Sequence, residues 1–310
     1  MKNNKKYKLL CPSPESFSGS IKKTLSKKYD CKFSKMNNIK FNKICHDYEI
    51  ILMRFNNTLK YLRNTKIKFI MCPTTATEHI DSKFFLDDKI KIFTLKNYTK
   101  FLQNIRATIE FTIFLILYYL RNDKKNPQKK KSFGNEIASE IYKKNIGIIG
   151  YGRIGKKVHK ILKSFNADLK IYEKKKIKKN KKLNFVSLNK LLTSCEIILV
   201  HIPLNYQNEN FLNASRLNLV KKGAVIINTS RGNVIDENYI FSLVKKKKLN
   251  YFTDVISNKA LRNERNTLKK IKNYKNFYYS GHIAGLTRES IEKTDWFVYK
   301  NFLKNIKSKY

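Results

Sequence analysis

The sequence is short of acid: 23 Asp and Glu stand against 66 Lys and Arg, a formal charge of +43 over 310 residues. That imbalance leaves nucleic acid, a membrane surface or small anions as candidate partners. The basic residues are mostly Lys, scattered among abundant Asn, Ile, Tyr and Phe, the residues that AT-rich codons encode. No basic stretch is interleaved with aromatics in a recognisable nucleic-acid module, so no specific nucleic-acid partner is expected. The charge reads as compositional bias on solvated faces; lysines gathered on one face of the fold would speak for nucleic-acid association instead. Cysteine is also sparse. Cys11, Cys31, Cys45, Cys72 and Cys195 make an odd number with no C-x-x-C pair and no Cys/His cluster. A metal site is not expected, and free thiols in a reducing, cytoplasmic setting are. Long apolar runs are missing too. Phe111–Leu120 falls short of the ~20 residues of a membrane span, and residues 7–11 are too short for a signal peptide. No membrane partner is expected. There are no internal repeats, and 42% hydrophobic residues mark a globular chain with room for two domains.

The chain holds only 10 glycines, and three of them fall in one loop. Residues 145–149 read as a short buried strand, Gly150, Gly152 and Gly155 have the spacing G-x-G-x-x-G, and a helix starts near Arg153. Gly150 permits a tight turn, Gly152 lets backbone approach a pyrophosphate, and Gly155 lets the helix pack close to the strand. The free N–H groups of the helix N-terminus suit the phosphates. A second strand, Leu169–Glu173, ends on a carboxylate that can accept hydrogen bonds from both ribose hydroxyls of NAD. Strand, loop, helix and acid together point to a dinucleotide site, with NAD preferred because Glu173 repels a 2′-phosphate.

Strands are also expected at 7–11, 48–53, 68–71, 90–93, 196–201, 224–229, 251–254 and 277–280. Helices are expected at 16–28, 58–62, 102–120, 187–194, 236–246 and 290–306. The alternation predicts α/β architecture with parallel sheets. The helix over 102–120 is apolar nearly all round in its second half, which predicts burial in a core or at a subunit interface. Residues 121–133 read as an exposed arm or linker. The loop Thr75–Ala76–Thr77 leaves the carboxyl end of a strand, where open α/β sheets bind ligands, and its backbone N–H groups can face an anion. Arg231 and His282 each sit just past a strand of the half that carries the glycine loop. An arginine fork binds a carboxylate and a histidine exchanges a proton near neutral pH. With a nicotinamide, that is equipment for reducing a 2-oxo acid.

These motifs follow one another in a familiar order. Residues 74–81, 107–112, 147–155, 201–204, 227–232, 282–285 and 287–290 resemble the D-isomer-specific 2-hydroxyacid dehydrogenase family from about Phe69 to Ser290. The resemblance implies two doubly wound parallel-sheet domains. A Rossmann NAD-binding domain, 101–283, would be inserted into a flavodoxin-like substrate domain, 1–100 plus 284–310, with the active site in the cleft. It implies that Arg231 binds the substrate carboxylate, that His282 is the acid/base, and that Thr75, Ala76 and Thr77 complete the carboxylate site. Gly150, Gly152, Arg153, Ile154, Gly155, Glu173, His201, Pro203, Thr229 and Asp254 would line the NAD site. Where the family has a glutamate that orients the histidine, five residues after the Asp of Asp-Val, this chain has Lys259; the nearest acid, Glu264, is the candidate replacement. The expected function is NAD-dependent interconversion of a small D-2-hydroxy acid and its 2-oxo acid, with reduced activity if Lys259 is not compensated. The alternative is a non-catalytic NAD(H)-binding regulatory or scaffold protein. A homodimer through 102–144 is expected.

Overall fold

The computed structural model describes residues 6–121, 138–175, 183–257, 271 and 273–307. The chain divides into two compact units, Met1–Ile105 with Leu286–Tyr310, and Arg106–Gly285.

The first unit contains β1 (Lys8–Cys11), α1 (Gly19–Lys28), β2 (Asp30–Phe33), α2 (Asn38–Ile44), β3 (Ile50–Leu52), β4 (Phe69–Met71), β5 (Lys91–Phe93) and α3 (Thr99–Leu102). Its five strands are parallel in the order β2-β1-β3-β4-β5, the flavodoxin-like doubly wound order. β3 is apolar at every position and wholly buried, as a central parallel strand covered on both faces must be. One face packs Leu9, Ile50 and Met71 against α1 and the C-terminal helix; the other packs Leu10, Ile51 and Ile70 with Phe41 of α2. Ser18 and Asn37 cap α1 and α2, accepting from Ile21 N and Lys40 N.

The second unit contains α4 (Ala107–Arg121), β6 (Asn145–Ile149), α5 (Arg153–Ser164), β7 (Asp168–Tyr172), α6 (Leu188–Ser194), β8 (Ile197–Val200), α7 (Ala214–Asn218), β9 (Val225–Asn228), α8 (Glu237–Lys245), β10 (Asn250–Thr253) and β11 (Phe277–Tyr279). The last helix, α9 (Arg288–Lys307), belongs to the first unit. The six parallel strands run β11-β10-β9-β8-β6-β7. The order reverses between β6 and β8, so the crevice beyond their carboxyl ends is a topological switch point, where such sheets bind ligands.

Two expected elements differ. Residues 58–62 are not helical: Leu59 forms an isolated bridge with Ile80, and Asp81 N donates to Leu59 O at 3.0 Å. That pairing offers the backbone an extended partner which the local sequence does not reveal. The helix expected over 102–120 is two helices, α3 and α4, broken at 103–106. By composition Thr99–Arg121 is apolar enough to cross a membrane. The break leaves 15 described residues in α4. Strand β2 was not anticipated; it is an edge strand with no fully buried residue, so it carries no apolar signal. Of the expected arm, residues 122–133 lie outside the described residues.

Candidate active site

The glycine loop is held from beneath. Gly150 has φ +95°, and a Cβ there would meet His201 O at 2.7 Å, so only glycine fits between β6 and the end of β8. A Cβ on Gly155 would collide with Gly150 O, which lets α5 seat against the loop. Gly152 is different: a Cβ there meets nothing within 4 Å, so the space above it is open to a ligand. No side chain caps α5, and Lys156 N donates to Gly152 O at 3.0 Å. The first N–H groups of a helix have no intrahelical acceptor, so Ile154 N and Gly155 N can donate to a ligand there. Arg153 and Ile154 begin that turn, and burial lowers the Arg153 pKa.

Glu173, just past β7, accepts from Tyr151 N at 2.8 Å and from Lys175 N at 3.0 Å. The carboxylate expected at the ribose thus also fastens the loop that would bind the pyrophosphate. His201 follows β8, and exposed Pro203 lies two residues beyond it. Burial lowers the His201 pKa to about 4, so the ring is neutral at pH 7. His201 Nδ1 lies 3.5 Å from Thr229 Oγ1, which lies 3.1 Å from Thr112 Oγ1, and Thr112 donates to Thr108 O. His201 Nε2 is buried with no hydrogen-bond partner among the described residues. An orphaned ring nitrogen, an open Gly152 and an uncapped helix at one switch point fit a dinucleotide, and Gly152, Arg153, Ile154, Gly155, Glu173 and His201 would hold it.

Arg231, Asp254 and His282 come from the carboxyl ends of the adjacent strands β9, β10 and β11, which pair in register at Asn228–Thr253–Tyr279. Arg231 is half-buried and its Nη1 donates to Ser230 O at 2.6 Å. His282 has φ 64°, an unusual left-handed conformation for a non-glycine residue. Asp254 imposes it. The Asp254 backbone O accepts from His282 N at 2.7 Å, and Asp254 Oδ1 accepts from Ser280 Oγ at 2.5 Å, Ile283 N at 2.7 Å and Ala284 N at 3.1 Å. Asp254 is 2% exposed. None of these bonds uses Oδ2, which leaves that oxygen for the cofactor role expected of Asp254. A second carboxylate, Glu237 at the start of α8, accepts from Ser257 N at 2.9 Å and Ser257 Oγ at 2.5 Å beside Gly232. It fastens residues 255–257 to the turn after Arg231. Lys259 and Glu264 lie outside the described residues.

In the first unit, Thr75, Ala76 and Thr77 follow β4. Thr74 Oγ1 donates to Ala76 O at 2.6 Å, and Ile80 N donates to Thr77 O at 3.0 Å. Among the described residues no group accepts from the N–H of Thr75, Ala76 or Thr77, so three successive donors are presented outward. The loop is anchored by a buried Arg54, which donates to Pro73 O at 2.8 Å and pairs with Asp295 at 2.7 Å. Arg54, Asp295, Glu237 and Thr112 belong to no motif that assigns them a role in the sequence. Arg54 could have been found as a lone cation directly after a wholly apolar strand.

Residues 114–284 match the family model described as D-isomer specific 2-hydroxyacid dehydrogenase, NAD binding domain, more than half of the chain. The chain belongs to this family. Residues 114–284 are its NAD-binding domain, and NAD is its cofactor. D-3-phosphoglycerate dehydrogenase of Haemophilus influenzae is 29% identical over 207 residues, covering 65% of this chain and 50% of that one. D-2-hydroxyacid dehydrogenase (NAD+) of Lacticaseibacillus paracasei is 30% identical over 189 residues, covering 59% and 55%. The alignments thus span about half the length of these two curated dehydrogenases. D-lactate dehydrogenase of Aquifex aeolicus, solved with NAD and lactic acid, superposes with a TM-score of 0.77 at 21% identity, covering 97% of this chain and 96% of that one. At that identity the likeness shows the fold of both units.

Proposed function

We propose that the chain interconverts a small D-2-hydroxy acid and its 2-oxo acid. The observation that carries this reading is the clamp of Asp254 on the left-handed turn of His282, one strand from Asp254 and two from Arg231, at the edge that holds the glycine loop. NAD, when bound, takes up or supplies the hydride. Arg231 grips the substrate carboxylate as a planar fork. His282 takes the hydroxyl proton in oxidation and returns it to the carbonyl oxygen in reduction. Neutral His201, with Nε2 buried, orients a polar group of the cofactor and stays out of proton transfer. The donors of Thr75, Ala76 and Thr77 suit a carboxylate as well. Glu173 disfavours a 2′-phosphate, so NAD is used in preference to NADP.

A second copy of the chain is the proposed partner. Helix α4 buries Ile109, Leu115 and Ile116 but leaves Phe114 45% and Leu117 36% exposed, an apolar strip that a dimer would cover. The test of function is a panel of 2-oxo acids with NADH, followed by loss of NADH absorbance. Turnover of at least one acid supports the enzyme. NADH binding with no turnover across the panel favours the regulatory or scaffold reading.

A further inference from the structure

The strands of the second unit all begin at one edge, opposite the glycine loop, and the lysines gather there. Lys143 and Lys144 lead into β6, Lys221 and Lys222 into β9, Lys246, Lys247 and Lys248 into β10, and Lys275 into β11. All but the half-buried Lys144 are exposed. Backbone bonds hold these segments side by side: Gly223 N donates to Lys248 O at 2.8 Å, and Asp168 N to Lys144 O at 2.9 Å. The acids of this edge are Glu140, Asp168 and Glu196, and Glu196 is turned onto Asn145 N at 3.3 Å. None of these lysines forms an ion pair among the described residues. The opposite edge is mixed, setting Arg153, Lys156, Lys174, Lys175 and Arg231 beside Glu173, Asp236, Glu237 and Asp254.

Helix dipoles do not account for the cluster. The C-termini of α4, α5, α6, α7 and α8 lie at this edge, and at about half a charge each they offset only about two or three cations. Arg121, Lys163 and Lys245 already occupy their last turns. Backbone preference does not account for it either. Lys143 and Lys247 have φ 55° and 54°, where asparagine or glycine is the less strained residue. Two aromatics stand among the lysines: Tyr142 is 51% exposed and Phe165 41%, with Lys143 Nζ 5.1 Å from the Tyr142 ring centroid and Lys143 N donating to Asn166 O.

We propose that this edge binds single-stranded nucleic acid without sequence preference, the lysines taking phosphates and Tyr142 and Phe165 stacking bases. From β6 to β11 is four strand spacings, about 19 Å, long enough to follow several consecutive phosphates of an extended strand. Lysine supplies point charges suited to a phosphate backbone, and rings beside it give sequence-tolerant stacking. The surface is independent of the dehydrogenase reading, because the cofactor edge lies at the other end of the same strands.

The test is fluorescence anisotropy of a labelled mixed-sequence 12-nucleotide RNA with the full-length protein over a range of salt. A variant carrying Lys143→Asn, Lys222→Gln, Lys247→Asn and Lys275→Gln removes four charges while relieving two left-handed lysines. Its plot of log affinity against log salt should be flatter than wild type by about 3, at about 0.7 per phosphate contact. Tyr142→Ser with Phe165→Ser should weaken binding about thirtyfold or more at one salt concentration and leave the slope unchanged. NADH binding should be the same in all three proteins, which shows that the variants are folded. The proposal is overturned if the lysine variant binds RNA as wild type does, if a duplex of the same sequence binds as tightly, or if anionic phosphatidylserine vesicles capture the protein at a salt concentration where the RNA does not.

Discussion

Replacing Asp254 with alanine removes the acceptor that shapes the turn of His282. Oδ1 takes hydrogen bonds from Ser280 Oγ, Ile283 N and Ala284 N, and their loss is unequal. Ile283 is 47% exposed, so its N–H can turn to water, and Ser280 is half-buried. Ala284 is 3% exposed, and its N–H is left without an acceptor. An orphaned buried donor costs about 1–3 kcal/mol and each re-solvated bond about 0.5–1. The sum is about 2–5 kcal/mol, or roughly 4–20 °C in the melting temperature of a unit of this size. His282, no longer held at φ 64°, should relax toward ordinary backbone, and misplacement by about 1 Å costs about a hundredfold in rate. The expected result is a kcat about a hundredfold lower, with NADH affinity reduced much less. Asp254→Asn keeps an oxygen at Oδ1 and should recover most of the stability and much of the rate. Scanning calorimetry, stopped-flow turnover and NADH fluorescence titration read these separately. If Asp254→Ala melts within 2 °C of wild type, or if Asp254→Asn recovers neither the stability nor the rate, the clamp is not what positions His282.

Gly152→Ala should leave the melting temperature unchanged, since the new methyl meets nothing within 4 Å, yet weaken NADH binding about tenfold or more, because it fills the space a pyrophosphate needs; Gly155→Ala should lower both. Arg231→Lys should raise KM for the 2-oxo acid about a hundredfold with little change in NADH affinity, because a point charge cannot replace a bidentate fork, and steady-state kinetics would show whether kcat falls instead. His201 has a folded pKa of about 4, below the value of about 6.5 in an unfolded chain. The unfolded state therefore binds more protons between these values, and stability falls as pH drops from about 6.5 to 4, by up to about 1.4 kcal/mol per pH unit. His201→Asn should flatten that slope in urea titrations; an unchanged slope would mean that other groups carry it. Light scattering at micromolar concentration and physiological salt should give a dimer, and Phe114→Glu with Leu117→Lys a monomer.

The sequence alone was enough for the dinucleotide site, because its determinants are local. Gly150, Gly152 and Gly155 are required by backbone geometry within one turn, and the strand before and helix after them have their own apolar periods. The end of β9 was legible for the same reason: an apolar run buried on both faces stops just short of Arg231. β11 is a half-buried edge strand, and the glycine before His282 is what marks its end in the sequence. What the tertiary structure decided lies between segments distant in the chain. Leu59 pairs with Ile80 instead of joining a helix, because a backbone partner 21 residues away outcompetes weak local propensity. Asp254 reaches across 26 to 30 residues to hold the turn around His282. Arg54 finds Asp295 at a separation of 241. The lysines of β6, β9, β10 and β11 read as scatter in sequence. They become one edge only because parallel strands must all start on the same side of the sheet.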